Sequence, residues 1–97
     1  MFAIRFTPEA LKDLLSYSKQ DRKRIMDGVE SCLKHEPDRE TRNNKKHRPN
    51  RLAERELRVD RFRVFYDIDR EKALVKIQAI GHKRGNGLYV RGEEFQL

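Results

Sequence analysis

Phe2, Ile4 and Phe6 alternate with Ala3 and Arg5, a period of two that predicts a strand with one apolar face. Thr7-Pro8-Glu9 then reads as a helix start: a hydroxyl cap, a proline at the first helical position and an acid at the positive end of the dipole. Leu11, Leu14 and Leu15 predict the apolar stripe of that helix, which ends near Tyr17-Ser18. A second helix is expected after Lys19-Gln20-Asp21, with Ile25, Met26, Val29, Cys32 and Leu33 on one face and Pro37 as its stop. The two together predict a helical hairpin.

Residues 38–50, DRETRNNKKHRPN, hold no apolar residue and read as a basic loop or a ragged helix end. Three strands are expected after them. Ala53, Leu57 and Val59 share one parity, Phe62, Val64, Tyr66 and Ile68 the next, and Val75, Ile77 and Ala79 the last. Asp60-Arg61 and Asp69-Arg70-Glu71-Lys72 are short enough for hairpin turns. The predicted order is β-α-α-β-β-β, an α+β fold with a two-helix hairpin packed on one face of a small, mainly antiparallel sheet. The uncovered face is then expected to show Glu54, Glu56, Arg58, Arg61, Arg63, Phe65, Lys76 and Gln78, a cationic and partly apolar groove beside exposed Leu74 and Ile80.

At 97 residues, with 36% hydrophobic and 40% charged, the chain fits a single domain over 1–97. No apolar run approaches the roughly 20 residues of a membrane span, so no membrane role is expected. Met1-Phe2-Ala3-Ile4-Arg5 lacks the basic start and long apolar stretch of a secretory signal, and the single Cys32 forms neither an internal disulfide nor a Cys-rich zinc site. A cytoplasmic location is the expectation. Gly81, Gly85 and Gly87 do not follow the Walker pattern, and no H-E-x-x-H run occurs, so neither a nucleotide cradle, a metal nor another cofactor is expected.

The net charge of +7 is unevenly placed. Between Arg39 and Arg63, ten basic residues (Arg39, Arg42, Lys45, Lys46, Arg48, Arg51, Arg55, Arg58, Arg61, Arg63) face four acids (Glu40, Glu54, Glu56, Asp60). Between His82 and Arg91, Lys83, Arg84 and Arg91 face none. Such clustering points to a polyanionic partner, for which a phosphate backbone is the natural choice; the plainer alternative is a solubilising basic surface.

Cleavage of a phosphodiester by its own 2′-hydroxyl needs a proton acceptor, cations around the phosphoryl oxygens and a donor to the leaving 5′-oxygen. Arg63 offers a planar fork for phosphate, and Lys83 or Arg84 adds charge. His82 or His47 can act as base or acid, Glu54 or Glu56 as a carboxylate base, and Tyr89 can stack on a base or move a proton. Lys45, Lys46, His47, Arg58, Arg61, Arg84 and Arg91 are the expected RNA contacts. Each has a structural alternative. Arg63 can pair with Glu54 or Glu56, His82 can cap a turn, and Tyr89 can pack on Phe65, whereas Cys32, Phe62 and Tyr66 are expected in the core.

The segment E-L-R-V-D-R-F-R-V-F-Y-D-I-D, Glu56 to Asp69, followed by A-I-G-H-K-R-G-N-G-L-Y-V-R, Ala79 to Arg91, resembles the RelE/ParE superfamily of type II toxins over nearly the whole chain. The resemblance implies the same fold, a cognate antitoxin, and one of two activities. RelE-type members cleave messenger RNA on the ribosome without a metal and so inhibit translation, whereas ParE-type members poison DNA gyrase. By motif position Arg63 matches the arginine on the scissile phosphate, Lys83 a second basic residue and Tyr89 a tyrosine near the C-terminus. Two lysines of the ribonuclease prototype fall at Glu54 and Glu56, and a further basic position falls at Gly85, so its acid–base assignment does not transfer. The expectation is a RelE-type endoribonuclease with Arg63, His82, Lys83 and Tyr89 as catalytic residues; the alternatives are a gyrase inhibitor and an inactive RNA-binding module of the same fold.

Overall fold

A computed structural model describes residues 1–39, 41, 43–46 and 52–95, with the backbone alone at 45 and 46. Strand β1 (Ala3–Phe6) leads into helices α1 (Pro8–Leu15) and α2 (Lys19–Leu33), followed by β2 (Asn44–Lys46), β3 (Arg55–Val59), β4 (Phe62–Asp69), β5 (Leu74–Arg84), β6 (Gly87–Val90) and β7 (Glu93–Phe95). The expected β-α-α-β-β-β succession is present, extended by the short strands β2, β6 and β7. The segment expected to be only a loop or helix end thus contributes β2, antiparallel to β3.

Thr7 caps α1, its hydroxyl accepting the Ala10 N–H at 3.1 Å ahead of Pro8, and Ser18 caps α2 by accepting the Asp21 N–H at 3.1 Å. The second helix therefore starts earlier than the sequence pattern suggested. Against the sheet, α1 turns Ala10, Asp13 and Leu14, and α2 turns Ile25, Val29 and Leu33. Leu11 and Leu15, expected on the buried stripe, are 46% and 56% exposed, because the sheet meets α1 one step around the helix. Cys32, expected in the core, is exposed as well; Leu33 occupies the inward position of the last turn. Gly28 lets α2 approach β3, since a Cβ there would fall 2.6 Å from Val59 Cγ2.

The sheet runs β2-β3-β4-β5-β6-β7, with β1 also on β5. The eleven-residue β5 is its spine. One edge pairs with β4; the other takes β1 in parallel along Leu74–Ile77 and then β6 antiparallel along 82–84. Between β4 and β5 the register shifts: Phe65 faces Ala79 but Tyr66 faces Ile77, leaving Gln78 as the extra residue of a bulge. Its groups are satisfied from outside the ladder. The Gln78 carbonyl accepts from the Thr7 hydroxyl (3.4 Å) and Arg91 (3.2 Å), and the Ile80 N–H donates to Asp13 Oδ2 at 3.1 Å.

This one residue changes which face the rest of β5 presents. Ala79, expected beside Val75 and Ile77, lies instead in a second cluster on the far face with Ala53, Phe65, Leu88 and Val90, flanked by Leu52 and Phe95. Ile80, expected to be exposed on the groove, joins the core under the helices with Leu57, Phe62, Val64 and Tyr66. Phe65 faces away from the helices as expected but is fully buried, because β6 and β7 bring Leu88, Val90 and Phe95 over it. Ala53 precedes β3 and departs from its parity, ending in this second cluster.

Arg55 is one of the buried polar residues of the helix side. It donates through Nε to the Tyr66 hydroxyl (3.3 Å) and through Nη2 to the Asp38 carbonyl (3.1 Å), while that hydroxyl lies 2.6 Å from both the Pro37 carbonyl and Asn44 Oδ1. The network fastens the segment after α2 to the sheet, so Tyr66 is a core residue with a polar tip.

Candidate nucleic-acid interface

Across β4 and its neighbours Arg63 stands opposite Arg58 on one side and Gly81 on the other, so all three share the face away from the helices. Lys83, two residues beyond Gly81 and opposite Leu88 of the second cluster, shares it too. Gly81 is bare because β6 crosses closely: a Cβ there would fall 2.4 Å from the Tyr89 carbonyl oxygen.

Arg63 is held by its own hairpin. Nη1 donates to the carbonyls of Asp60 (2.8 Å) and Phe62 (2.9 Å), which fixes the guanidinium and leaves Nε and Nη2 unbonded among the described residues. Burial lowers its proton affinity, the nearby Glu56 charge opposes this and Arg58 adds to it, yet a guanidinium stays charged. The expected pairing of Arg63 with Glu56 is replaced by Arg58, whose Nε lies 3.0 Å from Glu56 Oε2. The Glu56 side chain is only 6% exposed, while Glu54 is exposed and donates its backbone N–H to Asp67 at 2.9 Å.

His82 and Tyr89 lie on the other face. His82 stands opposite Phe62 and Tyr89, which places both rings on the helix side of the sheet. The Tyr17 hydroxyl is 2.8 Å from His82 Nδ1, the Tyr17 ring meets Phe62 edge-on at 5.3 Å, and the His82 and Tyr89 rings stack at 5.9 Å and 22°. Burial, then the Arg61 and Arg84 charges, lowers the His82 pKa below the usual imidazole value; burial and Asp13 push Tyr17 up to about 12. The tyrosine therefore keeps its proton. The expected packing of Tyr89 on Phe65 is absent because β6 turns Leu88, not Tyr89, toward the second cluster.

Several expected contacts carry structural loads. Arg61, expected on the groove, turns to Asp21 (3.0 Å) and lies 4.6 Å over Phe62, since the β3–β4 turn bends it toward α2. Arg91 pairs with Asp13 at 2.8 Å. Lys83 reaches the Asn86 carbonyl at 3.4 Å, and Arg84 has no partner among the described residues. Lys45 and Lys46 lie on β2 next to Glu56 and Arg55, and His47 is outside the described residues. Thus the four residues expected to act together divide: Arg63 and Lys83 on one face, His82 and Tyr89 on the other. Tyr17 was not anticipated, because its partner is 65 residues away and no local pattern announces the contact.

Among solved structures the chain is similar to the toxin–antitoxin complex RelBE2 from Mycobacterium tuberculosis, with 26% identity, a TM-score of 0.72, and 84% of this chain and 91% of that one covered. The archaeal RelE–RelB complex from Pyrococcus horikoshii shares the fold at 22% identity and a TM-score of 0.67, covering 87% and 96%. A comparison with curated proteins gives no match. Two helices on a bulged antiparallel sheet with a charged hairpin end define a RelE-like toxin fold. The model for the ParE toxin of type II toxin–antitoxin systems (parDE) matches residues 4–87, and the chain belongs to that family, within the RelE/ParE superfamily.

Proposed function

We propose that this toxin is of the RelE type and cleaves RNA on the face that carries Arg63. The observation behind this reading is the state of the Arg63 guanidinium: one nitrogen is anchored to two carbonyls, and the Nε–Nη2 edge, unbonded among the described residues, can meet two phosphoryl oxygens. Lys83 adds a second cation on that face, and the likeness to the RelBE2 complex agrees with the assignment. In the reaction the 2′-oxygen loses its proton to a carboxylate and attacks phosphorus, its bond to phosphorus forms as the bond to the 5′-oxygen breaks, and the departing 5′-oxygen takes a proton from the Lys83 ammonium, so that a 2′,3′-cyclic phosphate and a 5′-hydroxyl result. Arg63 and Lys83 stabilise the charge on the phosphoryl oxygens. Glu54 or Glu56 is the proposed acceptor of the 2′-proton.

Messenger RNA on the ribosome is the proposed target, in the cytoplasm, where an antitoxin holds the protein inactive. The RelBE2 neighbour is a toxin–antitoxin complex, and an acidic segment would complement Arg63, Lys83 and Arg84. The test is RNA cleavage by the purified chain with and without ribosomes. Arg63→Ala is expected to abolish cleavage; undiminished cleavage by that variant would remove Arg63 from the mechanism.

Gyrase inhibition is the second reading. It is favoured by the ParE model that matches the chain and by the separation of His82 and Tyr89 from Arg63. It predicts loss of supercoiling in a purified gyrase assay with RNA left intact, and replication stopping before translation in pulse-labelled cells.

A further inference from the structure

The turn between β5 and β6 carries chemistry that neither functional reading uses. We propose that Asn86 is a site of spontaneous deamidation, at which the protein converts its own asparagine to aspartate and isoaspartate with water as the co-reactant, and so places a carboxylate beside Lys83. The site is independent of whether the toxin acts on RNA or on gyrase.

Sequence supplies the first condition. Of the four asparagines, Asn43, Asn44, Asn50 and Asn86, only Asn86 precedes a glycine. The reaction begins when the Gly87 nitrogen, on losing its proton, attacks Cγ of Asn86; a side chain on the attacking residue would hinder the approach, and glycine has none. The bond from that nitrogen to Cγ forms as the bond from Cγ to the side-chain amide nitrogen breaks, and ammonia leaves with the proton that Gly87 gave up. Water then opens the five-membered succinimide ring. Addition at Cγ gives aspartate, and addition at the main-chain carbonyl gives isoaspartate, in which the chain runs through Cβ.

Structure supplies the rest. Arg84 faces Gly87 across the hairpin, so Gly85, at φ 60°, and Asn86 form a two-residue turn at its tip. Asn86 is exposed and its side-chain amide has no hydrogen bond among the described residues, so neither burial nor a bonded partner holds it back. Lys83 Nζ donates to the Asn86 carbonyl at 3.4 Å. That carbonyl shares a peptide unit with the Gly87 nitrogen, and a cation on it stabilises the deprotonated, attacking form. Position 87 also favours glycine: a Cβ there would fall 2.7 Å from Glu94 Oε2 and 2.9 Å from Tyr89 Cε2. The related pair Asp27–Gly28 lies inside α2, where helical hydrogen bonds hold the backbone, and serves as the internal reference.

The test holds the full chain at body temperature, at neutral and at mildly alkaline pH, beside a synthetic peptide of residues 82–91, and maps both by mass spectrometry. A one-dalton gain is expected at Asn86, in two chromatographic forms, with none at Asn43 or Asn44. The rate should rise about tenfold for each unit of pH, as the reacting amide anion does. It should lie within about tenfold of the peptide's rate, because a hairpin tip opens locally at little cost. Lys83→Gln, at an unchanged melting temperature, should slow the reaction severalfold in the folded protein and leave the peptide's rate unchanged; Asn86→Gln should suppress it, since a six-membered ring closes far more slowly. If Asn86 of the folded protein stays intact while the peptide reacts, or if the gain falls on Asn43 or Asn44 instead, the site is refuted. An equal rate in Lys83→Gln refutes the part assigned to Lys83.

Discussion

Arg91 Nε lies 2.8 Å from Oδ1 of Asp13, a carboxylate whose side chain is only 3% exposed, and this contact joins the β6–β7 turn to α1. Asp13 spends its other oxygen on the Ile80 N–H, and Arg91 a second nitrogen on the Gln78 carbonyl, so the pair clamps the bulge that fixes the face of every later residue of β5.

Removing the arginine leaves a buried carboxylate with a single backbone donor. Arg91→Ala should cost about 1–3 kcal/mol of stability, seen as a lower urea midpoint at unchanged slope. Arg91→Lys should recover part of it, because an ammonium lacks the planar spread that reaches both Asp13 and Gln78.

Gly28 makes a second structural prediction. Alanine is normally worth about 1 kcal/mol over glycine inside a helix. Here the added methyl meets the stiff, branched Val59 at 2.6 Å, so Gly28→Ala should instead destabilise by about 1–3 kcal/mol. Pairing it with Val59→Ala should reclaim part of the loss, measured as non-additivity in a double-mutant cycle.

The burial of His82 and Tyr17 should be visible in the pH dependence of stability. Folding holds the imidazole below its ordinary value near 6.5, so the unfolded chain takes up that proton first. Its contribution is complete above about pH 6.5 and is lost as the pH falls through the folded value; His82→Gln should flatten the stability profile in that acid range. At the alkaline end Tyr17 works in the opposite sense. With a pKa raised from 10.0 to about 12, its contribution is present below pH 10 and is lost as the pH rises toward 12, which absorbance titration of the tyrosinate will follow.

Arg63 separates function from stability. Among the described residues its guanidinium bonds only carbonyls of its own hairpin, so Arg63→Ala should change stability by less than about 1 kcal/mol. On the RelE-type reading, Arg63→Lys should still lower cleavage by roughly 10²-fold, because a point charge cannot present two parallel donors while anchored.

A helix start is set by a cap that acts over three residues: Thr7 made that of α1 legible, whereas the Ser18 cap of α2 was not recognised and the start of α2 was expected too late. The apolar parity of β4 was equally plain, with Phe62, Val64, Tyr66 and Ile68 all meeting the helix-side core. The candidate site was legible only in part. Arg63 falls on the open face as its parity requires, but His82 was grouped with it for its acid–base chemistry and Tyr89 by motif position, and neither criterion reveals the face on which a side chain stands. Nothing near Leu11, Leu15 or Cys32 tells which of two neighbouring apolar lines on a helix the sheet will meet.

The amino-acid order by itself determined the succession of elements, the caps and turns, and the concentration of positive charge in two segments, because each depends on contacts within a few residues. Tertiary structure decided which cations remain free and on which side of the sheet each chemical group stands. The reason is physical: one extra residue at Gln78, stabilised by Thr7, Asp13 and Arg91 from distant parts of the chain, offsets the two-residue alternation of β5, and with it the side on which His82 meets Tyr17.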